Sequence, residues 1–459
     1  MDPTLLPAIA TLRGLVAQCL ADKSDQGHDV ATLVHLLEDT PDSYDALLAV
    51  ACAASASPLR ADWPYDEPTD IEEILAAADR PARLLPVDLS DVGNRVRTAF
   101  LARVAGCILG KPFEFDPSLA ELRAVLEPSG EWPLQDYVTE ATAAVLRSPQ
   151  PQWPELVRER ISHVAPDDDI NYTVLAMLLL ETHGRDLAAD DVRKLWLRQL
   201  PIAATFGPER VQLIAMAQAS LATATGAPWP ATGWGAVLNP TEEECGALIR
   251  ADAYGYAFPG DPVAAARLAF VDASVTHTRT GVYSTMWVAA VISLALVHAG
   301  EDRLACFSDA LCVVPARSRF AAVVRESLEL VADARDWLEA YARIHGRFEQ
   351  YTHCRVYQEI GTLMVSARFA TTVGHGLGLQ VSMGNDTDSF GATAGSILGA
   401  LMGPSGFDEQ QWIAPFRDTI HLALATEWES SLSALAARMA RLPALLRSPG
   451  RRGSEPNCG

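Results

Sequence analysis

The sequence predicts an all-α protein, and three observations carry that expectation. Apolar residues recur at helical spacing, as in Leu33, Leu36 and Leu37 followed by Tyr44, Leu47 and Leu48. Aromatic residues make up only 7% of the chain, and alternating segments of strand type are hard to find, whereas Ala and Leu, both strong helix formers, are abundant. Proline and glycine breaks separate the helical runs as far as about Leu446.

In chain order, residues 1 to about 55 have helical periodicity, and ASPLRADWPYDEPTD (56–70) is a connector rich in Pro and Asp. Residues 88–110 form a long apolar helix that stops at Gly110, with Pro112 close behind. WPATGWGAVLNP (229–240) and AFPGDP (257–262) are expected as ordered loops, and RSPGRRGSEPNCG (447–459) as a disordered tail. At 459 residues and 49% hydrophobic, the chain has ample material for a core. Length alone allows two or three domains; the expected division is a helical extension with its connector (1–95), one large domain (96–446) and the tail (447–459). No internal repeat of fixed period is present.

A formal charge of −22 and a pI near 4.8 argue against general nucleic-acid binding, which relies on clustered Lys and Arg. The eight cysteines are scattered and form no CxxC or Cys/His cluster of zinc-finger spacing. The first residues, MDPTLLPAIATLRGL, lack a basic segment followed by a continuous apolar core, so no secretory leader is expected. No apolar run approaches the ~18–20 residues a membrane span needs. A soluble protein in the reducing cytoplasm is the expectation.

The chemistry concentrates in two acidic segments more than two hundred residues apart. Asp167, Asp168 and Asp169 precede the apolar run from Ile170 to Leu180, and Asp386-Thr387-Asp388-Ser389 precedes a run with glycines at 391, 395, 399 and 403. Carboxylates and a hydroxyl are hard oxygen ligands suited to Mg²⁺, Mn²⁺ or Ca²⁺. Brought together, such charges repel unless cations lie between them. In a continuous helix Asp386 and Asp388 are about 200° apart, so an extended or turn segment after Gly384 is expected, with Ser389 as helix N-cap or ligand. The four glycines share one helical face and weaken the helix by roughly 0.8–1 kcal/mol each relative to Ala, tolerable where another backbone or a ligand approaches closely. The plainer alternatives are a capped, tightly packed helix here and, for the Asp triplet, complementation of a helix macrodipole.

Two further segments stand out. GCILGKPFE (106–114) is a helix end with two glycines, followed by Pro112 and the loop acid Glu114. ADAYGYAFPGDP (251–262) leads to ASVTHTRTGVYS (273–284), where Ser274, Thr276 and His277 offer hydrogen bonds suited to ribose hydroxyls or a base edge, although a lone His is more often structural. There is no GxSxG, Cys/His nucleophile signature, Walker loop or Rossmann loop.

Together these motifs resemble the ADP-ribosylglycohydrolase family, also called the dinitrogenase reductase-activating glycohydrolase type. GCILGKPFE resembles its N-terminal Gly-rich motif, PDDDINYT its first metal motif (commonly Thr-Asp-Asp-Thr), RADAYGYAFPGDP and SVTHT its middle signatures, and GNDTDSFGATAGSILGALMG its last, commonly Gly-x-Asp-Thr-Asp-Thr. The matches keep the family's order over roughly residues 98–404. The resemblance implies an orthogonal multi-helix fold with two Mg²⁺ (or Mn²⁺) ions in a cleft. Carried over by motif, the metal ligands are Asp168, Asp169, Asp386, Asp388 and Ser389, with Asp167 where threonine is usual. Glu114, Asp169 and Asp386 are the carboxylates expected to act in catalysis, and Ser274, Thr276, His277, Gly384 and Asn385 the substrate contacts. Two departures are Asp167, a charge in place of a hydroxyl, and Ser389 in place of threonine.

The expected activity is metal-dependent hydrolysis at the anomeric carbon of ADP-ribose, on a modified protein or a small-molecule conjugate, with neither nucleic acid nor membrane as partner. The alternatives are a ribosyl or nucleoside-type hydrolase of a metabolite, and a non-catalytic binding or structural protein of the same fold. Retention of the oxygen ligands weighs against the last.

Overall fold

The computed structural model describes residues 8–114, 117–146, 152–224, 235 and 237–447. Most of the expected 229–240 loop and all of the expected tail beyond Arg447 lie outside the described residues. Those described are helical, with no β-strand among them and only isolated bridges such as Ser118 with Gly384 and Val164 with Ile420. None of their helices is long and apolar enough to cross a membrane.

The helix Leu89–Gly110 forms the axis of the fold. It has no interior proline, and Val96, Ala99, Phe100, Leu101, Ala102, Val104, Ala105 and Ile108 are all buried, so it is apolar around its circumference, as a central helix must be. Pro112, which lacks an amide donor, follows in a short 3₁₀ turn, Lys111–Phe113, and the α-helix ends where expected. The expected division at residue 95 falls inside this helix.

Against it, antiparallel, lies Thr387–Met402. The contact is backbone on backbone: Gly391 faces the Gly106 carbonyl, Gly395 that of Ala102, and Gly399 the Cα of Ala99, where an added Cβ would come within 2.6 Å. Gly110 in turn faces the Thr387 carbonyl, and the Thr387 hydroxyl donates to the Gly110 carbonyl at 2.8 Å. The glycine spacing read in the sequence is thus a packing face. Gly403, at φ +64°, closes the helix with a conformation that other residues adopt only with strain.

Leu89–Gly110, Asp168–His183, Arg279–Ala295, Tyr357–Phe369, Val373–Ser382, Thr387–Met402 and Leu432–Arg447 all contribute to one large core. The N-terminal helices Ile9–Asp25, Ala31–Asp39 and Tyr44–Ser55 bury Leu12, Val16, Leu20, Leu47 and Val50 in a second, smaller cluster with Ala215 and Leu238. Polar ties fasten this layer to the rest. Lys23 pairs with Glu242 at 2.6 Å and Arg355 with Asp25 at 3.1 Å. Buried Arg319 holds Glu243 at 2.6 Å and, from the connector, Glu67 at 2.8 Å.

Two outcomes are expected. Gly395→Ala forces the two central helices apart and costs about 1–3 kcal/mol in urea unfolding, whereas Gly346→Ala, on an open helix surface, is neutral or stabilises by up to about 1 kcal/mol. Burial pulls the Glu243 carboxyl up, but the Arg319 guanidinium outweighs it and holds the group below the usual range. With its folded pKa depressed, Glu243 stabilises the protein above its unfolded pKa, and that contribution is lost as pH falls through the folded value. Glu243→Gln therefore lowers stability at neutral pH by about 1.5–3 kcal/mol, and in pH-resolved melting the gap to the native chain closes in acid.

Candidate active site

The helix pair above sets the site. Packing Gly110 on Thr387 places the end of one long helix beside the start of the other, so the GKPFE turn faces Asp386 and Asp388. Gly384 and Asn385 turn the chain into this position with φ of +82° and +63°. The Asn385 amide donates to the Pro117 carbonyl at 2.8 Å and its side chain to Glu359 at 3.1 Å. Asp386 takes the N-cap position but makes no cap hydrogen bond, leaving its carboxylate for other partners. The expected extended pair with Ser389 as N-cap is corrected here: Thr387 already begins the helix, and Asp388 and Ser389 sit in its first turn.

The other acidic segment is also a helix start. Asp167 is the N-cap of Asp168–His183, accepting from the Asp169 amide at 2.9 Å, so the plainer reading of the triplet holds for this residue. Its second oxygen accepts from Lys111, and the Cys107 thiol also donates to this carboxylate. Burial raises the Asp167 carboxyl, but Lys111 outweighs it and holds the group below the ordinary range. The extra charge that Asp167 brings is therefore met by a lysine from the chain itself.

The two segments meet. The Asp388 carboxyl is pushed well above the carboxylate range, first by burial and then by the charges of Asp167, Asp386, Glu114 and Asp169. Asp168 is raised by burial, then by Asp167, and Asp169 by burial, then by Asp167, with Arg103 opposing. Burial also raises Glu114, against the pull of Lys111 at 3.5 Å. Ser389 is buried beside them, and the Asp388 Oδ1 atom is buried with no hydrogen-bond partner. Asp169 receives the Arg103 guanidinium on its backbone carbonyl at 2.8 Å and its Oδ1 at 3.4 Å, and Arg103 also pairs with Asp252 at 2.9 Å.

Lys111, Arg103, Cys107 and Asp252 join the cluster beyond the residues that the sequence motifs single out. A signal existed for two: Arg103 lies in an otherwise apolar helix, and Lys111 sits between a glycine and a proline at its end, and buried cations need anionic partners. Thr276 and His277 are buried in a separate network. Arg250 donates to Thr276 Oγ1 and Asp272 at 2.8 Å each and pairs with Glu209, while His277 Nδ1 lies 2.7 Å from Thr276 Oγ1. Burial, then Arg250, hold the imidazole well below its usual pKa, so it is neutral. Ser274 is exposed at a helix end, with its hydroxyl turned back to the Val271 carbonyl. Among the described residues, no side-chain hydrogen bond joins these three to the carboxylate cluster.

The fold is all-helical, and it sets a buried carboxylate cluster at two facing helix starts. The chain belongs to the ADP-ribosylglycohydrolase family, whose model matches residues 88–446. A solved structure described as an "ADP-ribosylglycohydrolase-related protein complex" is similar at 16% identity and a TM-score of 0.43, covering 77% of this chain and 99% of that chain. No curated protein matches.

One consequence concerns the metal-free protein. A carboxyl whose folded pKa is raised destabilises the fold as pH climbs from its unfolded toward its folded value, and costs nothing below the former. In chelator at neutral pH, Asp388→Asn should melt above the native chain, and the difference should vanish as pH falls toward about 4. An equal or lower melting temperature at neutral pH would contradict this account of the cluster.

Proposed function

We propose that this chain is a divalent-metal-dependent hydrolase that cleaves a glycosidic bond at the anomeric carbon of ADP-ribose, in an ADP-ribosylated protein or small-molecule conjugate. The observation that carries the reading is the convergence of two acidic helix starts on one buried site, where Asp168, Asp169, Asp388 and Glu114 are all pushed toward protonation. Such a donor set fits Mg²⁺ or Mn²⁺: it is all oxygen, crowded with like charge, and includes an orphaned buried oxygen on Asp388. Asp168, Asp386, Asp388 and Ser389 would hold two ions, with Asp169 shared with Arg103 and Asp167 kept in place by Lys111. When bound, the ions supply charge stabilisation and acidify coordinated water.

The chain's own residues do the rest. Hydrolysis breaks the bond from the anomeric carbon to the leaving nitrogen or oxygen, forms a bond to a water oxygen, and moves one proton from water to the leaving group. Glu114, half-buried beside Lys111 and raised toward neutrality, is suited to carry that proton. Asp167, held by Lys111, fixes the start of its helix so that Asp168 and Asp169 face the reacting centre. The surrounding carboxylates stabilise an oxocarbenium-like sugar. The helices and connector that precede Leu89 are an accessory layer in this reading, and the setting is the cytoplasm.

A second reading, hydrolysis of a ribosyl metabolite without the ADP half, draws on one observation. Thr276 and His277, expected to meet the nucleoside, are occupied in the Arg250 network. Assays with arginine-, serine- and O-acetyl-linked ADP-ribose beside simple ribosyl conjugates separate the two. Asp168→Ala and Asp386→Ala should abolish both turnover and metal-induced thermal stabilisation. Glu114→Gln should lower kcat by about 10²–10⁴-fold with that stabilisation retained. Full turnover by either aspartate variant would remove the catalytic model.

A further inference from the structure

The cysteines that look scattered in sequence include two that folding brings to the edge of the carboxylate cluster. Cys245 lies in the segment before the 3₁₀ turn Leu248–Arg250, and Cys354 lies in the 3₁₀ turn His353–Arg355. One ligand atom from each, with a carboxylate oxygen of Asp386, lie within 4.8 Å of one another, and the Cys245 Sγ to Asp386 Oδ2 distance is 3.5 Å.

We infer that Cys245, Cys354 and Asp386 form a binding site for a thiophilic divalent cation of the Zn²⁺ type, distinct in chemistry from the oxygen-only centre beside it. Bonds of about 2.3 Å to sulfur and 2.0–2.2 Å to oxygen, at tetrahedral angles, separate neighbouring donors by about 3.5–3.8 Å. The Cys245–Asp386 spacing already has that value, and the third donor lies within 4.8 Å of both. Three protein ligands leave one position open, the arrangement of an accessible zinc site rather than a closed structural one. Cys354 is only partly buried, which provides a route of entry.

One element, the end of the helix Ile9–Asp25, reaches both thiol-bearing segments. Asp22 accepts from the Thr241 amide at 2.5 Å, and Lys23 pairs with Glu242 at 2.6 Å, just before Cys245. On the other side Asp25 pairs with Arg355 at 3.1 Å, next to Cys354. The N-terminal layer thus positions both sulfur donors, a role that the oxygen centre does not require of it. The Asp386 oxygen given to a thiolate-bound cation is withdrawn from the oxygen centre. Zinc at this site therefore competes with the proposed hydrolase and inhibits it. That consequence rests on the proposed function; the binding does not.

Titrating the full-length protein with Zn²⁺ against a chromophoric chelator, and with Co²⁺ to reveal thiolate charge-transfer absorption, tests the site without any activity assay. The expected result is one Zn²⁺ per chain with cobalt–thiolate absorption. Replacing a supporting group around a metal costs 10–100-fold in affinity, so losing a sulfur ligand by Cys354→Ser or Cys245→Ser should cost about 100-fold or more and reduce the absorption by about half or more. Cys107→Ser, near Asp167 and Asp169 but not among these donors, should leave both unchanged. Zinc should also protect Cys354 from alkylation, which needs no substitution and covers a Cys245 variant that fails to fold. No thiolate absorption, equal zinc affinity in Cys354→Ser, or loss only with Cys107→Ser would each overturn the inference. If zinc binds as expected but no ribosyl substrate is hydrolysed in Mg²⁺, the proposed function fails and this site stands.

Discussion

The close approach of two helices along glycine is the constraint on which the rest depends. Side chains normally keep helix axes 8–10 Å apart, and here glycine faces on Leu89–Gly110 and Thr387–Met402 let carbonyl oxygens meet the partner backbone directly. A Cβ added at Gly106, Gly391, Gly395 or Gly399 would push the pair apart, and the displacement would be felt at the far end, where Gly110 lies on Thr387. The entropic cost of so many glycines in a helix is accepted because the seam registers the GKPFE turn against Asp386 and Asp388. Core packing and site geometry are thus one interaction.

That registration creates an electrostatic conflict. Two helix starts, each carrying aspartates, face one another in a buried volume, and the helix macrodipoles ease only part of the repulsion. The protein answers locally for two of the carboxylates, giving Lys111 to Asp167 and Arg103 to Asp169. Asp168, Asp388 and Glu114 remain raised toward protonation, and so does Asp169 in spite of Arg103. Such a cluster is a poor choice for stability alone, since buried ion pairs seldom repay their desolvation. It is a good choice for holding cations in a preorganised place. Asp167 is instructive because the change from a neutral hydroxyl to a charge is balanced within the same site.

The N-terminal layer adds a second level of organisation. Its small apolar cluster docks on Ala215 and Leu238, and its charged helix end reaches the segments that carry Cys245 and Cys354. A layer that merely covered a surface would have no need to pin both segments with acids from one helical turn. Its position links the extension to the segments that lie beside Asp386.

The sequence by itself determined the helical class, the long helix ending before Pro112, the glycine face and the two acidic segments. All of these are set by local spacing: a period near 3.6, a missing amide donor, and charges abutting apolar runs. It also carried the family, because short motifs in a fixed order survive as residue identities. Only the tertiary structure decided which charges are compensated. Lys111 meets Asp167, and Arg103 meets Asp169 and Asp252, across 56, 66 and 149 residues. Tertiary structure also withdrew Thr276 and His277 into the Arg250 network, left Ser274 on the surface, and made Asp386 rather than Ser389 the helix start. The thiol pair beside Asp386 had no sequence signal at all, since its members are 109 residues apart. Electrostatic partnership depends on distance through space, and a single sequence records only distance along the chain.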